Sequence, residues 1–307
     1  MRIEQLEYVA AVTRTGSLRR ASEQLHVSQP ALSEAVSKLE RELGVEVLDR
    51  RRSGARMSRQ GRELLPLMTD VLEAVERLRL AAGDRRTTSR LVRLGTVNTA
   101  TTTLLAPALR AFQELHPQAG VEIVDIFPEE IRIGLEEGSL DLGLVNLLEG
   151  DDAPATVASH TLVTGRPVVV LPGGHPLVDR ARIGVDELRA ERFVMMRAGY
   201  LMNRFAHRLF GDDLPPTRHA TDGAEMGKLL VAQGLGLCLL PDFSVVGDPL
   251  ERAGLIVARP LADADSPAVR MVLLGRRADS VPDQVRSLAQ ELARKAAAYR
   301  PAAQSSG

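Results

Sequence analysis

A chain of 307 residues, 44% hydrophobic and 26% charged, is long enough for two or three compact units and has the balance of a soluble globular protein. No apolar run approaches the roughly 20 residues of a membrane span. The N-terminal stretch MRIEQLEYVAAVTRTG carries Glu4 and Glu7 inside its apolar pattern, unlike a secretory signal, and a single cysteine, Cys238, excludes intrachain disulfides and multi-cysteine metal sites.

The net charge of −1 hides an asymmetry. Residues 1–90 hold 17 Lys and Arg against 13 Asp and Glu, whereas the remainder holds 22 against 27. The positive charge is concentrated in LDRRRSGARMSRQGR, residues 48–62, with six arginines and one acid. Such a cluster suits a polyanion, although charge alone fits a solvated loop equally well. With neither a membrane-length apolar run nor a secretory signal, the chain is expected in the cytoplasm and off the membrane.

In chain order, Ile3, Leu6, Val9 and Ala10 have helical spacing, and Gly16 ends that segment. Ser17 can cap a second short helix, LRRASEQL, and His26-Val27 form a turn. Ser28 caps a third helix that tolerates Pro30 in its first turn. Leu32, Val36, Leu39 and Leu43 form its apolar stripe, and Gly44 stops it. Two helices across a tight turn, the second strongly capped, fit a helix-turn-helix. Gln29, Ser33 and Ser37 then project at steps of four from a helix that can enter a major groove, with Lys38 and Arg41 toward phosphates. VLDRRRSGARMS reads as a β-wing with Gly54 at its tip.

From Ser58 to about Ala82 the spacing predicts a longer helix, which Pro66 bends early. Leu64, Met68, Val71, Val75 and Leu78 alternate steps of four and three, the repeat of a coiled coil, although a lone helix packed on its own domain has the same pattern. AAGDRRTTSR, residues 81–90, is a polar hinge. Beyond it strands and helices alternate: LVRLGTV, TTTLLAPALRAFQELHP, VEIVDIF, EEIRIGLEEG and LDLGLVNL form a βαβαβ unit. A similar series starts near residue 160 with RPVVVLPGG and RFVMMRAG, then returns through VRMVLLGRR to a C-terminal helix. Two α/β lobes joined by crossing chain make a hinged clamp, with a ligand expected in the cleft.

These residues resemble the LysR-type transcriptional regulators. The match is nearly gapless over residues 3–66, from LEYVAAVTRTGSLRRASEQLHVSQPALSEAVSKLERELGVEVLDR through the arginine wing to SRQGRELLP. GSLDLGLV, VVVLPGGHPL and LVAQGLGLCLLPDF are similar to landmarks of the family's second half. The resemblance implies an α/β chain with a winged helix-turn-helix at 1–60 and a dimerising linker helix and hinge at 61–90. It further implies a periplasmic-binding-protein-like effector domain at 91–300, with lobes 91–160 plus 268–300 and 161–267, and a tail at 301–307. It implies a dimer, assembled as a dimer of dimers, on double-stranded operator DNA, with RNA polymerase as a further partner. Family members are typically activators that repress their own gene and respond to a small molecule.

Carried over by position, the DNA-reading residues are Ser28, Gln29, Pro30 and Ser33, with Ser37 and Lys38 on the same helix and Arg50, Arg51, Arg52 and Arg56 in the wing. Where the family often has an arginine after Ser33, Glu34 stands. A carboxylate there either accepts from a cytosine amino group or points away as surface charge. For the effector, the loop after the first strand supplies Asn98, Thr99, Thr101 and Thr102. Its hydroxyls and free N–H groups can hold the carboxylate of an organic acid, or merely cap the helix. Tyr200, Met202 and Asn203 form the facing loop, Thr221 and Asp222 a third wall, and Asn146 lies near the hinge. Asp222 can repel an anion or accept from a donor, and Tyr200 and Met202 fit core packing as well as an apolar effector. No cofactor is implied.

Two rival classes fare worse. None of the six histidines forms a close metal-ligand pair, neither GxSxG nor GxxxxGK[ST] occurs, and no acid/base pair stands out among the 40 carboxylates, so no motif supports an enzyme. A free-standing solute-binding protein would need a secretion signal and no DNA-binding head.

Overall fold

The computed structural model describes residues 1–51, 54–81, 91–262, 267–277 and 281–299. The head begins with α1 (Ile3–Thr15), α2 (Leu18–Gln24) and α3 (Gln29–Leu43). Local sequence fixes their ends. Ser17 and Ser28 cap α2 and α3 by accepting the backbone N–H groups of Arg20 and Ala31, and Gly16 and Gly44 close α1 and α3 in the left-handed conformation, at φ of 62° and 71°. Leu32, Val36 and Leu39 are fully buried with Leu6, Val9 and Val12 in one core. Each such side chain contributes about 1.5–3 kcal/mol by leaving water. The wing is an antiparallel hairpin of β1 (Leu48–Arg51) and β2 (Gly54–Met57), in register from Leu48 opposite Met57 to Arg51 opposite Gly54. It is anchored by Ala55 N–H donating to Gly16 O at 3.2 Å.

Helix α4 (Arg59–Ala81) runs unbroken through Pro66. Its first turns belong to the head, because Leu65 and Met68 are buried in the head's core. Leu64 beside them is half-buried against the same core; farther along, Val75 is half-buried while Val71 and Leu78 are exposed. Of the hinge expected at 81–90, all but Ala81 lies outside the described residues. The same holds for the tail at 301–307. Among the described residues no helix is long and apolar enough to cross a membrane.

The second half opens with β3 (Leu91–Thr96), a π-helical turn at Thr101–Leu105 that runs into α5 (Ala106–Leu115), then β4 (Gly120–Asp125), α6 (Pro128–Glu136) and β5 (Leu142–Leu148). Strand β3 lies parallel to both β4 and β5, the arrangement of a βαβαβ unit. The sheet continues antiparallel through β6 (Ala158–Gly165) and, late in the chain, β12 (Val269–Gly275), in the order β4-β3-β5-β12-β6. Strand β6 escaped the pattern-based reading because its residues 158–161 are exposed and polar in part. The lobe limit expected at residue 160 falls inside it, and the chain crosses between the sheets at Arg166.

The second lobe comprises β7 (Pro167–Pro172), α7 (Val185–Arg189), β8 (Phe193–Met196), α8 (Leu201–Phe210), β9 (Thr217–Thr221), α9 (Gly223–Ala232), β10 (Cys238–Pro241), α10 (Pro249–Arg252) and β11 (Ile256–Pro260). Its winding differs from that of the first lobe: β7 pairs antiparallel with both β10 and β11. Strands β8 and β9 are parallel, and β8 joins β10 through Val194 N–H donating to Leu237 O at 2.8 Å. Helix α11 (Asp283–Ala297) packs back on the first lobe, and one hydrophobic core runs through both lobes.

Candidate functional site

Two regions gather the residues singled out in the sequence. On α3, Ser28, Gln29, Pro30, Lys38 and Arg41 are exposed, while Ser33 and Ser37 are half-buried and already engaged. A helix turns about 100° per residue, so the row Gln29, Ser33, Ser37 lies on the flank of the buried stripe. The middle of the outward face is held by Pro30, Glu34, Lys38 and Arg41. In the wing, Arg50, Arg51 and Arg56 have strand backbone, but their side chains lie outside the described residues, as does Arg52 entirely.

The second region lies where the loop after β3 meets the second lobe. Asn98 and Ala100 both have positive φ, 50° and 49°, a conformation non-glycine residues seldom adopt and one that costs of order 1 kcal/mol or more each. The strain is held by bonds to the facing lobe. Ala224 N–H donates to Asn98 O at 2.9 Å. The Thr99 and Ser244 hydroxyls share a hydrogen bond of 2.8 Å, and Thr103 donates to Phe243 O at 2.7 Å. Thr101 N–H donates to Glu225 Oε1 at 3.3 Å, and Thr102 Oγ1 to Asp248 Oδ2 at 2.5 Å. Gly223 makes the close approach possible: at φ 67° it needs no strain, and a Cβ there would sit 2.6 Å from Asn98 Cβ.

At the centre of these ties is Lys228, with 0% of its side chain exposed. Its ammonium meets Asp248 Oδ2 at 2.5 Å, Glu225 Oε2 at 2.9 Å and Ser244 O at 2.9 Å. Burial pushes the Asp248 carboxyl up, but the bonds from Lys228 and Thr102 overcome it and hold the group below its ordinary value. Lys228, Glu225, Ser244 and Asp248 were not singled out from sequence. A signal existed: the chain has three lysines, and Lys228 falls in line with Ala224 and Val231 on the buried face of α9.

The remaining predicted residues line the cleft beside these ties. Asn146 Nδ2 donates to Thr99 Oγ1 at 3.2 Å, while its buried Oδ1 has no hydrogen-bond partner. Thr99, Asn146, Tyr200 and Met202 share a cavity of about 30 Å³ with Val97 and Met196. Tyr200 and Met202 are buried, and the Tyr200 ring lies 5.2 Å from that of Phe127. Burial, with Asp125 and Asp222 nearby, pushes the Tyr200 hydroxyl up to about 12. Asn203 Nδ2 is committed to Met196 O at 2.7 Å, so it braces the loop after β8. Thr221 is buried at the end of β9, and Asp222 pairs with Arg197, whose guanidinium lies over the Phe127 ring. The structure thus brings Asn98, Thr99, Thr101, Thr102 and Asn146 together, with Tyr200 and Met202 on the opposite wall.

The same two-part division appears in comparisons with known proteins. Residues 3–62 match the family described as bacterial regulatory helix-turn-helix protein, lysR family, and residues 85–297 match the LysR substrate binding domain. The probable HTH-type transcriptional regulator LrrA of Synechococcus elongatus is 30% identical over 266 residues, covering 85% of this chain and 88% of that protein. The RuBisCO operon transcriptional regulator of Allochromatium vinosum is 30% identical, with 78% of each chain covered. A hydrogen peroxide-inducible genes activator of Pectobacterium carotovorum is 27% identical, with 82% of each covered. Among solved structures, a full-length OxyR variant of Pseudomonas aeruginosa has a TM-score of 0.69 at 26% identity, covering 95% of this chain and 98% of that one. The family is one of transcriptional regulators, not enzymes. The chain belongs to the LysR family: it is a DNA-binding transcriptional regulator with an N-terminal helix-turn-helix and a C-terminal effector-binding domain.

Proposed function

We propose that the protein is a ligand-responsive switch in which a small effector resets the ties between the two lobes and thereby the spacing of the DNA-binding heads. Residues 1–60 act as the head, 61–90 pair two copies through Leu64, Met68, Val71, Val75 and Leu78, and 91–300 receive the effector. Two dimers combine on an operator, in the cytoplasm, with RNA polymerase as the partner of an activating complex. Gln29, Pro30 and Ser33, flanked by Ser28 and Ser37, meet base edges. Lys38, Arg50, Arg51, Arg52 and Arg56 meet phosphates and supply the salt-dependent share of affinity.

One observation carries the switch: the Thr101 N–H at the start of the first-lobe helix is accepted by Glu225 of the second lobe. An organic acid is favoured at such a helix start and competes with Glu225 for that N–H. Glu225 is partly exposed and can turn to water. Effector binding therefore trades a tie between the lobes for a bond to ligand, which is the differential affinity a switch needs. Asn146 Oδ1 offers a second anchor, for a donor on the effector. A peroxide-sensing disulfide, by contrast, has no second cysteine to form it, and burial pushes the Cys238 thiol up to about 12, away from a reactive thiolate.

Gel-shift titrations on the gene's own upstream DNA test the division of roles. Gln29→Ala is expected to lose roughly 1–3 kcal/mol on the operator and relax specificity there. Arg51→Ala should weaken binding to all sequences and flatten the salt slope. Identical behaviour of the two variants would refute the assignment. Glu225→Ala, which removes the acceptor of the Thr101 N–H, should give the effector-bound footprint without effector, and an unchanged footprint would remove the cleft from the mechanism.

A further inference from the structure

We infer that Glu34 is a specificity-determining residue that reads cytosine in the operator half-site, an inference that rests on α3 being the recognition helix. Leu32, Val36 and Leu39 fix the inward face of α3. Glu34 follows Leu32 by two residues, about 200° around the axis, so it stands almost diametrically opposite the core and is exposed. Serines 33 and 37, the polar residues on the flank, reach less far outward. Glu34 is also the carboxylate of α3 that the fold does not use. Glu40 accepts the N–H groups of Val47 and Leu48, each at 3.0 Å, and Glu42 pairs with the chain's terminal ammonium. Glu34 makes neither hydrogen bond nor ion pair among the described residues, not even with Lys38 one turn on.

An unpaired carboxylate at the centre of a face that approaches phosphates is a local cost, and Coulomb repulsion there favours almost any other residue. The cost is offset only by a donor in the groove. Guanine presents two acceptors, N7 and O6, and thymine an acceptor and a methyl group, so both repel or leave Glu34 unpaired. Adenine sets its N6 donor beside the N7 acceptor, which suits an amide better than a carboxylate. Cytosine presents the N4 amino group without an acceptor of its own alongside, and is the base a carboxylate accepts from best. The same group excludes alternatives: a half-site with guanine at that position sets two acceptors against the carboxylate and loses binding.

The test is selection of duplexes from a randomised pool by the full chain, its E34A and E34Q variants, followed by competition titrations in which each half-site position is permuted. Wild type should enrich cytosine at one position of each half-site. In E34A the preference for cytosine there should fall by about 5- to 150-fold while every other position keeps its preference, and in E34Q it should move toward adenine. The inference is overturned if E34A recovers the same consensus and binds all duplexes more tightly with a steeper salt dependence, the signature of a surface charge alone. A wild-type chain that enriches no sequence overturns it too, and with it the role of α3. Because Glu34 is exposed and unpartnered, folding of the variants is not at issue, and retained preferences at other positions verify it within the same experiment.

Discussion

Replacing Lys228 with methionine keeps the length of the buried stem and removes only its charge. In the folded protein this strands Asp248, 2% exposed, with the Thr102 hydroxyl and the Leu250 N–H as its donors, and leaves Ser244 O without the ammonium. Glu225 contributes little to the cost because it can turn outward. Breaking a buried pair from one side costs about 3–5 kcal/mol, since the remaining charge is uncompensated. Urea denaturation of the full chain followed by circular dichroism should show a loss of that size in the transition of the effector domain. The double variant Lys228→Met/Asp248→Asn removes the stranded charge yet retains the oxygen that caps α10, and should recover most of the loss. The pH dependence follows with a definite sign. The Asp248 carboxyl is held below its ordinary 3.8 in the folded state. The pair's stabilisation is therefore present above that value and is lost as pH falls below it. The difference between wild type and Lys228→Met should thus shrink on acidification from about pH 7 to 3. A loss under about 1 kcal/mol, or a difference independent of pH, would refute the view that this buried cation holds the site together.

Gly223→Ala should cost about 1–3 kcal/mol, read in the same denaturation assay, because the added Cβ meets Asn98 and the residue keeps φ 67°; it should also mimic part of the effector response in footprinting. Leu78→Asp, at a side chain 69% exposed in the single chain, should leave monomer stability unchanged within about 0.5 kcal/mol but dissociate the proposed α4 dimer in analytical ultracentrifugation. Retention of the dimer would move its interface off α4.

How much was readable along the chain depends on the range of the interactions involved. The head follows from local chemistry. Ser17 and Ser28 cap helices, Gly16 and Gly44 end them, and a stripe from Leu32 to Leu39 says which face is inside; each signal acts within a few residues of its cause. The βαβαβ unit is likewise visible, since β3 and β5 are largely buried and apolar, and the edge strand β4 still carries β-branched Val121, Ile123 and Val124. Strands β6, β9 and β11 were not, because each is short or partly polar and is specified by its neighbour in the sheet rather than by its own pattern.

What only the tertiary structure decided is which polar groups are spent on the fold and which are left over. The sequence by itself determined a DNA-binding head on a two-lobed receiver, and it placed Thr99 to Thr103 at the start of a helix. It did not show that Glu225, Lys228, Ser244 and Asp248, more than 120 residues away, come to meet that helix, or that Glu34 alone among the acids of α3 goes unused. Burial turns an ordinary lysine into the centre of a network, and it does so because charges taken out of water must find partners wherever in the chain those partners lie.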